Sequence, residues 1–530
     1  MRKTAKISLW IIGTILVLVI AAFLSADIIV SHLVRKKVAQ SFENIPDAEA
    51  SVGGIYLDFI SSTSMVKDIS FRTKNISLSI PALIVRDIRY WELLRYRRLV
   101  IQRIDIEDAQ TELYLDEKHP EDLLPSFPKD TMLYKAHLWL QTAEVRSLNI
   151  HNFRTRLRST RSALDVAADS LTFSTKNLNY RFRDSVFCYT DSVYSLHLNA
   201  LHVVLPDSSL AIELHNLHTE NQGPLTLGYT RLRHLYPLKY MVHKAKEPTT
   251  WIDLEIQSLS TSALNPLRKT LAMDYTLDSV YADVKRMHVC QDLQFNPKQP
   301  VVAPQDFLRK LPIRFQIKQI EALARKVDVE LFITNTNCGQ MHLKDIRATL
   351  TNVTNLPGAN WFNRIKAPFG KEGKVEASYT MHFDKNATFE VVLDAKNVET
   401  SDLDRFIRPL VGITSRCHID HLQTQYTGDR KKAHGEFCMQ YTGLEIKVHK
   451  EDRIPYAVVT KLAKTITRLA NALIPESNPT SVDPAPRRYE VEWKRDERAV
   501  YPLYLFGPCI DGVKKTILPG LYVHKQVRAK

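Results

Sequence analysis

The chain has 530 residues, only 16 of them glycine, and no low-complexity stretch, which excludes collagen-like and disordered chains and leaves ample length for a sizeable core. Its formal net charge is +14, yet no basic run exceeds three residues. No aromatic RNA-binding signature, zinc-finger spacing or recognition-helix pattern accompanies that charge, which argues against a nucleic-acid binder and leaves weak attraction to anionic lipid or an ordinary solvated surface.

The first element is Ile7–Ala26, twenty uncharged and mostly apolar residues. As a helix it spans about 30 Å, the thickness of a hydrocarbon core. It is longer than the ~7–15-residue apolar region of a signal peptide, and Leu24 is a poor −3 residue for cleavage. The segment therefore predicts a membrane anchor. Arg2, Lys3 and Lys6 precede it and Arg35, Lys36 and Lys37 follow it. The terminal amine tips this balance towards a cytoplasmic N-terminus and an exported body.

Beyond the anchor the apolar residues alternate with period two. Ile76–Ile80, Ile104–Glu107, Leu210–Leu214, Ile252–Ile256, Val327–Leu331 and Leu444–Val448 each place apolar side chains on one face and polar ones on the other. Such strands predict an antiparallel sheet with one apolar and one wet face. Pro206-Asp207 and Asn221–Pro224 read as turns.

Helices are few. Residues 87–97 predict a short one with Asp87 as N-cap and Ile88, Trp91 and Leu94 on one face. Residues 456–474 predict a second, basic and amphipathic, bounded by Pro455 and Pro475. It would cap an edge strand or lie on a membrane. A proline-rich stretch, 476–486, reads as a stiff exposed linker. Arg488–Trp493 is a further strand, followed by an apolar tail, Tyr501–Phe506, too short to cross a bilayer. These boundaries divide the chain into an anchor (1–34), a β body (35–450), a helix and linker (451–486) and a C-terminal strand and tail (487–530).

A sheet this long cannot leave its apolar face in water. It pairs with a second sheet, closes into a barrel, or curls into a groove filled by something else. A membrane barrel lacks a helical anchor and carries aromatic girdles, unlike these strands. Groove and packed sandwich both stay open on the pattern alone. In the groove reading the lining residues are Ile76, Leu78, Ile80, Ile104, Ile106, Leu210, Ile212, Leu214, Ile252, Leu254, Ile256, Val327, Val329 and Leu331. Acyl chains suit such a lining, because each buried methylene is worth ~0.8 kcal/mol and needs no polar motif.

Motifs for chemistry are absent. There is no His-Glu-x-x-His, Gly-x-Ser-x-Gly or phosphate-loop pattern, so no enzyme is expected. Cys417, His418, Asp420 and His421 are the densest ligand-type cluster, but on a strand His421 faces away from His418 and Asp420. No metal or cofactor is expected. The six cysteines form no Cys-x-x-Cys pair; Cys417 and Cys438 fall on neighbouring predicted strands and are the pair best placed for a disulfide, with isolated buried thiols as the alternative.

Two segments carry a resemblance. The anchor, a first strand pair, the helix around Tyr90-Trp-Glu-Leu-Leu94 and the strand Leu99–Ile106 resemble the start of AsmA-like proteins. Ser401–Val411, the strand Cys417–Tyr426 and the segment Ala433–Leu444 are similar to the C-terminal AsmA region. The resemblance implies a Gram-negative inner-membrane anchor and a periplasmic body. It also implies an elongated U-shaped β-groove similar to bridge-like lipid-transfer proteins, and phospholipid movement towards the outer membrane. It implies phospholipid as a partner and transfers no catalytic residues; the anchor adds the membrane, and the apolar run Tyr501–Phe506 docks on the helix 456–474 or reaches an outer-membrane or envelope protein at the far end. The rival expectations are an assembly factor that binds outer-membrane proteins by strand addition, and a structural envelope scaffold.

Overall fold

The computed structural model describes residues 49–517, apart from 59–61, 116–139, 160, 182–185, 189–192, 206–208, 222, 245–249, 264–273, 295–300, 311–313, 335–336, 450–473, 482–483 and 498–500. The expected anchor and the expected helix 456–474 lie outside the described residues, Ile474 excepted. No helix among those described is long and apolar enough to cross a membrane. The protein is mainly β, as its alternation predicts, and divides into two compact units, residues 1–231 with 263–272 and residues 232–262 with 273–530.

The first unit contains β1 (Glu49–Asp58), β2 (Thr63–Arg72), β3 (Ile76–Ile88), α1 (Tyr90–Tyr96), β4 (Arg98–Glu107), β5 (Gln110–Leu115), β6 (Thr142–Ser159), β7 (Asp165–Arg181), β8 (Val186–Cys188), β9 (Val193–Val204), β10 (Leu210–Glu220) and β11 (Pro224–Leu227). β12 (Thr230–His234) straddles the division. The second unit holds α2 (Leu238–Lys244), β13 (Thr250–Ala263), β14 (Asp274–Asp292), α3 (Pro304–Arg309), β15 (Arg314–Thr334), β16 (Asn337–Thr354), β17 (Asn360–Phe369), β18 (Gly373–His382) and β19 (Phe389–Glu399). It continues through a 3-10 turn (Thr400–Leu403), α4 (Asp404–Val411), β20 (Ile413–Gly428), β21 (Lys432–Val448), β22 (Arg488–Lys494) and α5 (Tyr501–Ile517).

Most of the described strand pairs are antiparallel, but three are parallel, so the sheet is mixed rather than antiparallel throughout. β4 and β5 both run parallel to β6, from Arg98↔Thr142 to Leu115↔Ser159. β14 runs parallel to β15, from Asp274↔Arg314 to Asp292↔Phe332. Parallel neighbours need a crossover of a dozen or more residues, and connections 116–141 and 293–313 supply it.

The inward positions of these strands do not keep a strict period of two. At certain residues with left-handed backbone they step by three. Val66 and Ile69 flank Asp68, Ile150 and Phe153 flank Asn152, and Leu214 and Leu217 flank Asn216. Partner strands step together, since Val66 pairs with Leu83 and Ile69 with Ile80, while Leu214 pairs with Leu201 and Leu217 with Leu198. The β2–β3 register therefore runs unshifted from Thr63↔Arg86 to Arg72↔Ser77. The second unit repeats the device at Asp345, between Leu343 and Ile346, and at Asn352, between Leu350 and Val353. Asp and Asn serve here because their short polar side chains tolerate the left-handed region. Asn152 also donates its amide to Asp108, itself left-handed, at 2.5 Å.

The largest core lies under β1–β6, where Leu83, Leu99 and Ile101 are fully buried. The expected helix 87–97 is shorter than predicted. β3 continues to Ile88, which pairs with Ile101, and Asp87 is a left-handed strand residue rather than an N-cap. Leu93 docks α1 on the core, while Trp91 and Leu94 are 66% and 69% exposed. Arg95 lies over the Trp91 ring.

Two smaller cores occupy β18–β22. The apolar tail Tyr501–Phe506 is the opening of α5, which packs on β21 and β22. Gly512 permits that approach, because a Cβ there would come within 2.1 Å of the Phe437 ring. The linker is not wholly exposed. Asn478 is buried, its amide donates to the Met439 carbonyl at 2.6 Å, and its backbone pairs with Tyr441. Cys417 and Cys438 are free thiols. Their strands are neighbours as predicted, but Cys438 pairs with Gln423, six residues along β20 from Cys417. That is about 20 Å of strand, far beyond disulfide reach.

One ionic clamp ties α3 to the β20–β21 turn. Arg430 binds both carboxylate oxygens of Asp306, one at 2.8 Å, and donates to the Lys385 carbonyl at 3.0 Å. The Arg430 hydrogen bond holds the Asp306 carboxyl below the usual carboxylate range despite its partial burial. A carboxyl with a depressed folded pKa contributes stability that is present above its unfolded value, near 4, and lost as pH falls through the folded value. Asp306→Asn is expected to lower the denaturant midpoint at pH 7 and to flatten its decline from pH 5 to 2, measured by urea titration at each pH. Asn152→Val, which forces a β-branched residue into left-handed backbone, should cost about 1–3 kcal/mol by the same assay, and Asn152→Gly less.

Candidate functional site

Among the described residues the apolar face divides into a part covered by a continuous buried cluster and a part that is not. Ile80, Ile104 and Ile106 are 1–3% exposed and belong to the closed core of β1–β6, so the chain's own side chains occupy the space in front of them. Ile76 and Leu78, further along β3, are half-buried, and Leu78 packs at the margin of that core.

The remaining predicted positions have a different setting. In the first unit Leu210, Ile212 and Leu214 on β10 are half-buried. Register places Val203 beside Ile212 and Leu201 beside Leu214, and Ala168 and Val166 continue the row on β7. In the second unit Ile252, Leu254 and Ile256 on β13 are likewise half-buried. Ile252 pairs with Val289 and Leu254 with Met287. Met287 and Val289 lie beside Val327 and Val329 on β15, which pair with Leu343 and Met341 on β16. Val327 is buried and Val329 and Leu331 are half-buried. Each unit thus carries an apolar patch several strands wide. From β9 to β16 that face shows isolated buried residues such as Leu198 and Val284, and among the described residues no continuous buried cluster forms over it.

Leu201, Val203, Met287, Val289, Met341 and Leu343 belong to these patches and were not among the predicted lining residues. Alternation in Met341-His-Leu343 and Met287-His-Val289 carries the same signal in sequence, but the short runs are flanked by charged residues that mask it.

The opposite face is ion-paired, and it is solvated except where α2 packs over Cys290 of β14. Arg156 binds Asp165 at 2.6 and 3.0 Å, and Arg325 binds Asp283 at 2.8 and 3.0 Å. The Arg325 hydrogen bonds hold the Asp283 carboxyl below its ordinary range. Cys417, His418, Asp420 and His421 do not converge on one point. His418 hydrogen-bonds Glu399 at 2.7 Å, which raises its pKa, and His421 hydrogen-bonds Asp394 at 2.8 Å. Cys417 accepts no place beside them, being buried with its amide on the Thr400 hydroxyl.

No protein-family model matches this chain, and no curated protein matches its sequence.

The two settings differ in how much packing a truncation removes. Ile104→Ala should lower stability by about 2–5 kcal/mol in denaturant unfolding, the range for a buried aliphatic side chain. Leu254→Ala should cost less than about 1.5 kcal/mol, because solvent already reaches that side chain.

Proposed function

We propose that the half-buried apolar patches hold lipid acyl chains and that the protein moves phospholipid between membranes. In this reading Ile7–Ala26 is a single inner-membrane anchor, the body is periplasmic, and the sheet forms an AsmA-like groove. The resemblance at both ends of the body supports that placement.

One observation carries the reading. Leu210, Ile212 and Leu214 in the first unit, and Ile252, Leu254 and Ile256 in the second, are half-buried with no continuous buried cluster over them among the described residues, and within each unit they form a contiguous apolar strip with the neighbouring strands. Contiguous apolar surface of this kind gains most from a flexible apolar ligand. Ten methylenes transferred from water onto it would gain about 8 kcal/mol. An acyl chain matches because it needs no hydrogen-bond partner, and the strips offer none. The ion-paired opposite face suits an aqueous exterior.

Native mass spectrometry with lipid extraction on the purified full chain tests this. The expected result is at least one copurifying phospholipid per chain, falling several-fold in Leu254→Asp while circular dichroism and protease resistance stay unchanged. A compact, lipid-free wild-type chain would sink the proposal and favour a packed scaffold.

A further inference from the structure

We propose that His288, Cys290 and Glu330 form a zinc-binding site on the polar face of the second unit. The site begins with strand periodicity. His288 and Cys290 are two apart on β14 and share a face. The parallel register then sets Glu330 of β15 beside Cys290. Their donor atoms lie within 4.8 Å of one another. Cys290 Sγ is 3.3 Å from His288 Nε2 and 3.8 Å from Glu330 Oε2, and His288 Nε2 is 3.6 Å from Glu330 Oε1. A tetrahedral zinc with bonds of about 2.0–2.3 Å separates its donors by about 3.3–3.6 Å. The His288–Cys290 edge already has that length, and the two Glu330 contacts are made by different carboxylate oxygens, so a small turn of the Glu330 side chain brings one oxygen to the third corner without rearrangement of the strands.

The surroundings fit a metal as well. Cys290 is fully buried, with Val242 of α2, Trp251 and Phe332 packed around it. The Trp251 ring meets the His288 ring edge-on at 5.1 Å. Gln340 of β16 donates its amide to Glu330 Oε1 at 3.5 Å and orients the carboxylate. The next carboxylate along β15, Asp328, has its own partners in His342 at 2.7 Å, Lys326 at 3.3 Å and Arg286 at 3.5 Å. One thiol, one imidazole and one carboxylate make a borderline-soft donor set, which selects zinc over magnesium or calcium. Binding replaces the thiol proton with the metal and releases one proton per zinc. Three protein donors leave one coordination position for an exogenous ligand.

The test loads the full chain with zinc, removes free metal by gel filtration and measures retained metal by elemental analysis. Wild type is expected to retain one equivalent. Cys290→Ser and Glu330→Gln should each bind at least tenfold more weakly, whereas His418→Gln, on a different strand pair, should bind as wild type does. Cobalt in place of zinc should show a thiolate-to-metal charge-transfer band in wild type that Cys290→Ser lacks. Should Cys290→Ser fail to fold, Glu330→Gln, altered at a half-buried position, decides the matter. A wild-type chain that retains no zinc, or a Glu330→Gln chain that retains it as tightly as wild type, overturns the site.

Discussion

The structure depends on keeping most of the apolar strand residues on one face of the sheet. A strand with strict period two that acquires one extra residue turns its whole apolar set to the solvent side. Here the extra residue is taken up in paired strands at the same level, so the ladder keeps its register and the apolar face stays continuous. Asp68, Asn216, Asp345 and Asn352 do this by adopting left-handed backbone, where their side chains are tolerated and most others are not, whereas beside left-handed Asn152 the β6–β7 register shifts on either side of Phe153. The paired steps at Val66/Leu83 and Ile69/Ile80 belong to both partners, and neither strand could make one alone.

Given that constraint, the filling of the apolar face varies along the chain. Under β1–β6 the side chains are large and α1 adds Leu93, so the face closes on itself. At β18–β22, α5 supplies a covering layer, helped by Gly512 against Phe437 and by Tyr504, whose hydroxyl donates to the Asp429 carbonyl at 2.8 Å. Between these regions α2 packs on the polar face, around Cys290, and leaves the apolar side of β13–β16 uncovered by it. Among the described residues the large buried clusters thus lie at the first and last strands, and the apolar strips of β9–β10 and of β13–β16 carry no such cluster.

The polar face is more than a solvated exterior. Parallel pairing of β14 and β15 sets residues of equal phase side by side, so an alternating His-x-Cys on one strand meets an alternating Asp-x-Glu on the next. Asp328 is held by Lys326, Arg286 and His342, while Glu330 turns to the thiol and imidazole. An antiparallel pairing of the same two strands would reverse that order and bring other residues together.

Sequence alone determined the β class, the one-sided alternation and most strand positions, because period-two patterning is a local property of each segment. It also determined the apolar character of Ile252, Leu254 and Ile256. It did not separate these from Ile104 and Ile106, which show the same alternation but lie in a closed core; what sits opposite a strand is a nonlocal fact. Asp87 fits a helix cap in sequence as well as a left-handed strand step, because Asp favours both settings, and only the pairing of Ile88 with Ile101 distinguishes them. Likewise Cys417 and Cys438 share a strand pair, but register, set over many residues, holds them six positions apart. Tertiary structure alone decided where two strands run parallel, and so which distant residues, Cys290 and Glu330 among them, stand side by side. That choice rests on the crossover path of the chain, which no local pattern encodes.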